Sequence, residues 1–265
     1  MRIFAISDLH TDFRDNRALL DRLSPTRYRD DALIVAGDVA DRLETVRETL
    51  GFLRGRFAEL CFVPGNHELW VRGDTRTSVE KFFAVLALCD ELGVRTRPTK
   101  LGDAWVVPLY GWYHESFDVG DTAAGESLEA WSDHYFCRWP QEIGRPDEYF
   151  AALNARQLRR FDAPVITFSH FLPRRDLLPP VRYLGFRGLP RVAGSALIEQ
   201  QLRLAGAQLH VFGHSHIMED RVLDGVRYVQ NWLRPLHVGA VPDAPLKLVH
   251  DCGAAAESQL MPVFC

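Results

Sequence analysis

Along the chain, short apolar runs with β-branched residues stop abruptly at polar groups able to bind metal. "RIFAISDLH" ends in Asp8 and His10, "ALIVAGDVAD" in Asp38 and Asp41, "LCFVPGNHE" in Asn66 and His67, "PVITFSH" in His170, and "QLHVFGHSH" in His214 and His216. Each run has the length of a buried strand and is bounded by turn residues. Between them, apolar residues at three- and four-residue intervals predict helices over 41–57, 77–92, 149–160 and 195–205. Strands alternating with helices predict an α/β fold. After the last histidine pair, "VRYVQNW" and "LKLVH" read as strands with no helix between them, which predicts antiparallel pairing late in the chain and a mixed sheet system.

In open α/β sheets, functional groups gather where loops leave the carboxyl ends of the strands. That geometry would bring the five distant strand ends to one crevice. The stretch 111–146, "GWYHESFDVGDTAAGESLEAWSDHYFCRWPQEIGRP", breaks the pattern: it is long, aromatic and Gly-rich, without a clear period. Such a segment is read either as a lid over a binding site or as a packed surface insertion. A second excursion, 171–190, follows His170 and is rich in arginine.

Composition narrows the class. A chain of 265 residues fits one large α/β domain, and 47% hydrophobic with 25% charged residues excludes disorder, collagen-like repeats and a membrane-protein composition. A net charge of −4 creates no overall positive field to draw the chain to nucleic acid or to an anionic membrane. Cys61, Cys89, Cys137, Cys252 and Cys265 are odd in number and contain no CxxC pair, a pattern of reduced thiols. The apolar run at the amino terminus is too short for a signal peptide, and nothing approaches the ~20 apolar residues of a spanning helix. The expectation is a soluble cytoplasmic protein.

Singly, each polar strand end has a bland reading: a histidine satisfied within the core, or an aspartate capping a helix. Together they form a mixed oxygen and nitrogen ligand set suited to Mn, Fe, Zn or Co. Asp8 and His10 would share a face because side chains alternate along an extended segment. His214 and His216 would do the same, or splay near a turn to serve two ions. Seven ligands are too many for one tetrahedral site, and a carboxylate can bridge, so two metal ions are the economical reading.

The ordered set "SDLH", "GDVAD", "GNHE", "SH" and "GHSH" resembles the five signature motifs of the calcineurin-like metallophosphoesterase superfamily. The resemblance implies a single domain over 1–265 with a four-layer sandwich of two mixed β-sheets flanked by helices. It implies one divalent ion held by Asp8, His10 and His216, a second held by Asn66, His170 and His214, and Asp38 bridging them. His67 would face the phosphate and protonate the leaving oxygen or stabilise the transition state, with Asp41 orienting its imidazole. Two ions ~3.5–4 Å apart would clamp the attacking and leaving oxygens of an in-line displacement by hydroxide.

Departures from better-known branches bear on substrate. Leu43 stands where the protein Ser/Thr phosphatases carry glycine, and Pro64 stands where they carry a phosphate-gripping arginine before Gly65. Arg42, Arg174 and Arg175 are the candidates for phosphate contact, because guanidinium suits bidentate pairing with phosphate oxygens. The expected substrate is a small phosphomonoester held beneath the two lid-like excursions. The alternatives are a phosphodiesterase, acting on a cyclic nucleotide or in the manner of a nuclease, and a non-catalytic scaffold. An intact His67 counts against the scaffold; the acidic net charge and the lack of a basic aromatic tract count against nucleic acid.

Overall fold

The computed structural model describes residues 1–73, 75–120, 127–234 and 246–253; Cys265 and the centre of the first excursion lie outside these described residues. Among the described residues ten strands and six α-helices run in the order β1 Arg2–Ile6, α1 Arg14–Leu20, β2 Ala32–Val35, α2 Leu43–Arg54, β3 Glu59–Phe62, α3 Ser78–Leu92, β4 Thr99–Leu101, β5 Ala104–Pro108, α4 Asp133–Phe136, α5 Pro146–Ala155, β6 Val165–Phe168, α6 Ala196–Ala205, β7 Leu209–Phe212, β8 Glu219–Leu223, β9 Val226–Gln230 and β10 Lys247–Asp251. They form a four-stranded sheet ordered β10-β1-β2-β3 and a six-stranded sheet ordered β4-β5-β6-β7-β9-β8. Both sheets are mixed and both are flanked by helices, the architecture that the motif order implies.

The central strands read as continuous apolar runs because both their faces are covered. In β1 and β2, Ile3, Ala5, Ala32 and Ile34 join the core shared with Phe168, Val211 and Tyr228 of the second sheet. The alternate residues Phe4, Ile6, Leu33 and Val35 pack with Leu50 and Leu53 of α2 and Leu88 of α3. A one-residue slip would exchange the two cores, so the register of these strands is fixed from both sides.

Several elements depart from the sequence-based expectation. The helix predicted over 149–160 runs from Pro146 to Ala155, because proline at its first turn and Asp147 and Glu148 beside it start the helix early. The seven-residue α1 was not predicted at all. "VRYVQ" forms β9, parallel to β7 and antiparallel to β8, while the strand containing "KLVH" pairs antiparallel with β1. The late antiparallel pairing is therefore present, but one of the two strands also extends the parallel ladder. No helix among the described residues is long and apolar enough to cross a membrane.

The parallel strands of each sheet carry their polar ends on one side. Beyond β1 the backbone of Ser7 bonds Asn231 and Leu233, which follow β9, at 2.9 Å each. This link ties the two sheets together beside the strand ends that matter.

Away from that side, α3 begins with a capping box: the Thr77 side chain accepts from the Glu80 N–H, and the Glu80 carboxylate accepts from the Thr77 N–H at 2.7 Å. Thr77→Ala should lower unfolding free energy by about 1 kcal/mol. Urea titration measures it, and bound metal counted in the same samples should not change.

Candidate metal centre

The polar strand ends begin where the strands stop. Asp8, His10, Asp38, His214 and His216 all have positive φ, at 54°, 40°, 54°, 72° and 54°. Among the described residues Asp224 is the other non-glycine residue in this region. Left-handed backbone costs such residues ~1–3 kcal/mol each and persists where the surroundings enforce it. Asp8 and His10 therefore converge by leaving the extended conformation, and the expectation from strand alternation is corrected. Their loop is held by backbone hydrogen bonds from Asp8 to Gly37, His10 to Asp38 and Thr11 to Val39, at 3.0, 2.9 and 2.8 Å.

Two glycines make the approach feasible. Gly37 has φ of 84°, and a Cβ there would lie 2.4 Å from His170 Nδ1; a Cβ on Gly65 would lie 2.2 Å from Asp38 Oδ1. Glu68 then locks two loops to each other. Its buried carboxylate accepts from the backbone N–H groups of Asp38, Val39, Ala40 and Gly65 at 3.0, 2.7, 3.0 and 2.7 Å. Burial and the charge of Asp38 push Glu68 up to about 7. The four N–H donors nevertheless mark an anion, since a protonated acid has no use for so many.

The expected ligands meet in two groups. In the first, His216 Nε2 lies 3.3 Å from Asp8 Oδ1 and 3.2 Å from His10 Nε2. In the second, Asn66 Oδ1 lies 3.1 Å from both His170 Nε2 and His214 Nδ1, which are 3.2 Å from each other. Asp38 sits between, its Oδ2 3.8 Å from His10 Nε2 and 3.3 Å from His170 Nε2. His214 and His216 thus splay into different groups.

The tautomers decide whether a cation fits. His170 Nδ1 donates to the Ala36 carbonyl and His214 Nε2 donates to the Val192 carbonyl, each at 2.9 Å. In the neutral rings the other nitrogens carry lone pairs, which face one another and the Asn66 carbonyl oxygen. Three acceptors at such separations repel unless a positive charge lies among them. The spacing matches donors sharing one first-row ion at ~2.0–2.2 Å, and a backbone partner on the second nitrogen is the usual companion of a ligating histidine.

Charge leads to the same conclusion. Burial alone would push the Asp8 carboxyl up, yet His216 and His170 hold it at about 2. Asp38 is likewise held well below its ordinary value by His170 and His67 against the penalty of burial. Two buried anions demand cations: burial favours neutral His170, but Asp38 and Asp8 raise it to about 9. A divalent ion would meet that demand in place of the proton. His214 is pushed down to about 3 by burial and by His170, which leaves its lone pair available.

His67 is placed differently. Its Nδ1 bonds Asp41 Oδ1 at 2.7 Å, its Nε2 lies 3.9 Å from Asp38 Oδ2, and its ring lies on Trp70 with centroids 3.7 Å apart. Burial lowers its affinity for a proton, but Asp38 and Asp41 outweigh burial and raise it to about 9. Arg72 reaches Asp41 Oδ2 at 3.3 Å and stacks over Trp70 and Phe136.

Above these groups opens a cleft of ≈ 580 Å³ walled by Phe13, Trp131, Tyr183, Phe186, Leu189 and Ile217. Among the described residues no arginine or lysine lines it. Arg174 pairs with Asp176, Glu199 and Asp224 at 2.8, 3.6 and 2.5 Å. Arg174 and Arg175 line a separate cavity of ≈ 1070 Å³ that meets the cleft at Ile217. Arg42 is exposed at the start of α2, beside Asp41 in a third cavity. None of the three candidate arginines lines the cleft.

Sequence reasoning passed over two residues here. Glu68 was visible in "GNHE" but had no assigned task. Asp133 lies in the first excursion, where no periodicity singled it out; it is buried and accepts from Asn66 Nδ2 at 2.9 Å.

Residues 1–218 match the calcineurin-like phosphoesterase family. The chain is 31% identical over 249 residues to the [acyl-carrier-protein] phosphodiesterase PptH of Mycobacterium tuberculosis, covering 85% of this chain and 75% of that protein. The crystal structure of phosphopantetheinyl hydrolase PptH from the same organism superposes with a TM-score of 0.75 at 28% identity, covering 98% of each chain. With the family match extending over most of the chain and the buried donor groups arranged for divalent ions, the protein belongs to the calcineurin-like phosphoesterases and is a metal-dependent phosphoesterase.

Proposed function

We propose that the chain is a binuclear phosphodiesterase that releases phosphopantetheine from a carrier protein. The observation that carries this reading is the cleft above the donor groups, whose walls are apolar and, among the described residues, carry no arginine or lysine. A monoester dianion presents three free oxygens and calls for a guanidinium or ammonium to grip them. A diester has one charge and two substituents, which need room and apolar walls. The preference for a small phosphomonoester rested on two excursions narrowing the site as lids and on an arginine pairing with the free oxygens; with Arg174 and Arg175 in the neighbouring cavity, a diester is the better fit. The likeness to PptH supplies the class of diester.

In this reading, Asp8, His10 and His216 hold one ion, Asn66, His170 and His214 the other, and Asp38 bridges. Bound there, Mn, Fe, Zn or Co would supply Lewis acidity and activate water. The chain's own part is to exclude bulk water with the aromatic walls and to deliver a proton. His67, its Nδ1–H directed at Asp41, offers the Nε2 proton to the alcohol oxygen of the carrier side chain as the phosphorus–oxygen bond breaks. Residues 1–265 form one domain in which the excursions at 111–146 and 171–190 act as walls of the cleft. The buried thiols Cys61 and Cys89 suit a cytoplasmic setting.

Three outcomes are expected. Asp38→Ala should bind fewer than two ions by elemental analysis and lose activity altogether, since no neighbour replaces a bridging carboxylate. His67→Ala should keep both ions and lose ~10²–10⁴-fold in kcat with an alkyl leaving group, and less with p-nitrophenolate, which needs little protonation. Incubated with Mn²⁺-loaded enzyme, a carrier protein bearing phosphopantetheine should lose that group's mass, and bis-p-nitrophenyl phosphate should exceed p-nitrophenyl phosphate in kcat/KM. An untouched carrier protein together with faster monoester turnover would overturn the diester reading.

A further inference from the structure

The side chain of Asn66 is an amide, and only one of its two ends suits a cation. Its Oδ1 faces His170 Nε2 and His214 Nδ1 at 3.1 Å, so its NH₂ must be held the other way. If the amide turned over, two N–H donors would point at the ion and the site would lose a ligand.

What holds it is a carboxylate delivered from the first excursion. Asp133, at the start of α4, is buried, and Asp133 Oδ1 accepts from Asn66 Nδ2 at 2.9 Å and from Trp70 Nε1 at 2.6 Å, while its Oδ2 accepts from Trp131 Nε1 at 2.8 Å. All three are N–H donors. A buried carboxylate needs such donors, and these leave no orientation in which the Asn66 carbonyl could face it. The indoles are themselves fixed: Trp70 lies on the His67 ring, and Trp131 stacks on Phe186 of the second excursion with an interplanar angle of 7°.

We propose that Asp133 is a positioning residue for the ion held by Asn66, His170 and His214, setting that ion's affinity by fixing the Asn66 amide. Its hydrogen bonds go to Asn66, Trp70 and Trp131 and not to Asp8, His10 or His216, which gather in the other group. Through Asp133 and Trp131 the described part of the first excursion is thus a structural part of the metal site as well as a wall of the cleft.

The inference rests on reading Asn66 as a ligand, and the test separates the two. Metal-free wild type, Asp133→Asn and Asn66→Ala are dialysed against graded Mn²⁺, and bound ions are counted by elemental analysis. Asparagine at 133 keeps one acceptor oxygen and sets an NH₂ against at least one of the three donors, which loosens the hold on the Asn66 amide. In Asp133→Asn one of the two ions should bind ~10–100-fold more weakly, the loss typical when a ligand's outer partner is removed, while the other binds as in wild type. A purely structural role would weaken both sites together or neither, and either result overturns the proposal. If Asn66→Ala retains both ions at wild-type affinity, the ligand assignment itself is wrong and the proposal falls with it. If Asp133→Asn does not fold, as judged by circular dichroism, Trp131→Phe takes its place, keeping the aromatic ring while removing one donor from the carboxylate. It should weaken the same single ion by a smaller factor, and unchanged binding of both ions would overturn the proposal.

Discussion

Lone pairs gathered around a position that calls for positive charge are the constraint on which this structure depends. His170 and His214 are each turned by a backbone carbonyl so that their bare nitrogens face Asn66 Oδ1, and two carboxylates are buried beside them. Without a cation this arrangement is repulsive; with one it is a ligand cage. The costs of building it are visible in the backbone, where five of the seven expected ligands adopt a left-handed conformation and two glycines leave no room for a side chain. Glu68 offsets part of that cost by gathering four N–H groups that the tight loops would otherwise leave unpaired.

The sheet system explains why the cost is tolerated where it is. Parallel strands deliver their loops to one side, so a cluster that no single segment could hold is assembled from five. The rigid part lies beneath it: strands buried on both faces, with alternate residues committed to two different cores. Strain in the loops is therefore borne by elements that have no alternative register.

Much of this was legible in the sequence, because apolar runs ending in Asp, His and Asn report both a buried strand and the chemistry at its end. The ordering of those motifs carried the fold class, down to two mixed sheets. Local rules failed where tertiary contacts took over. Alternation placed Asp8 and His10 on one face, but both lie beyond the last strand residue and converge through positive φ. Arg174 looked like a phosphate ligand because its distance along the chain from His170 is short; its partners Glu199 and Asp224 are distant in sequence and could not be foreseen. Asp133 was invisible for the same reason, since its meaning comes from Asn66, 67 positions away.

The donor groups also have a mechanical side. Asp8, His10, Asp38 and Asn66 follow strands of one sheet, while His170, His214 and His216 follow strands of the other. Polar links join the layers elsewhere too, at Ser7, Lys247–Asp220 and His250–Asp103, but here groups from both layers converge where the ions are expected. A cation seated among them would act as a rivet between layers. Its binding energy would be added to the cohesion of the folded state by mass action, so metal supply and resistance to unfolding would be two readings of one equilibrium.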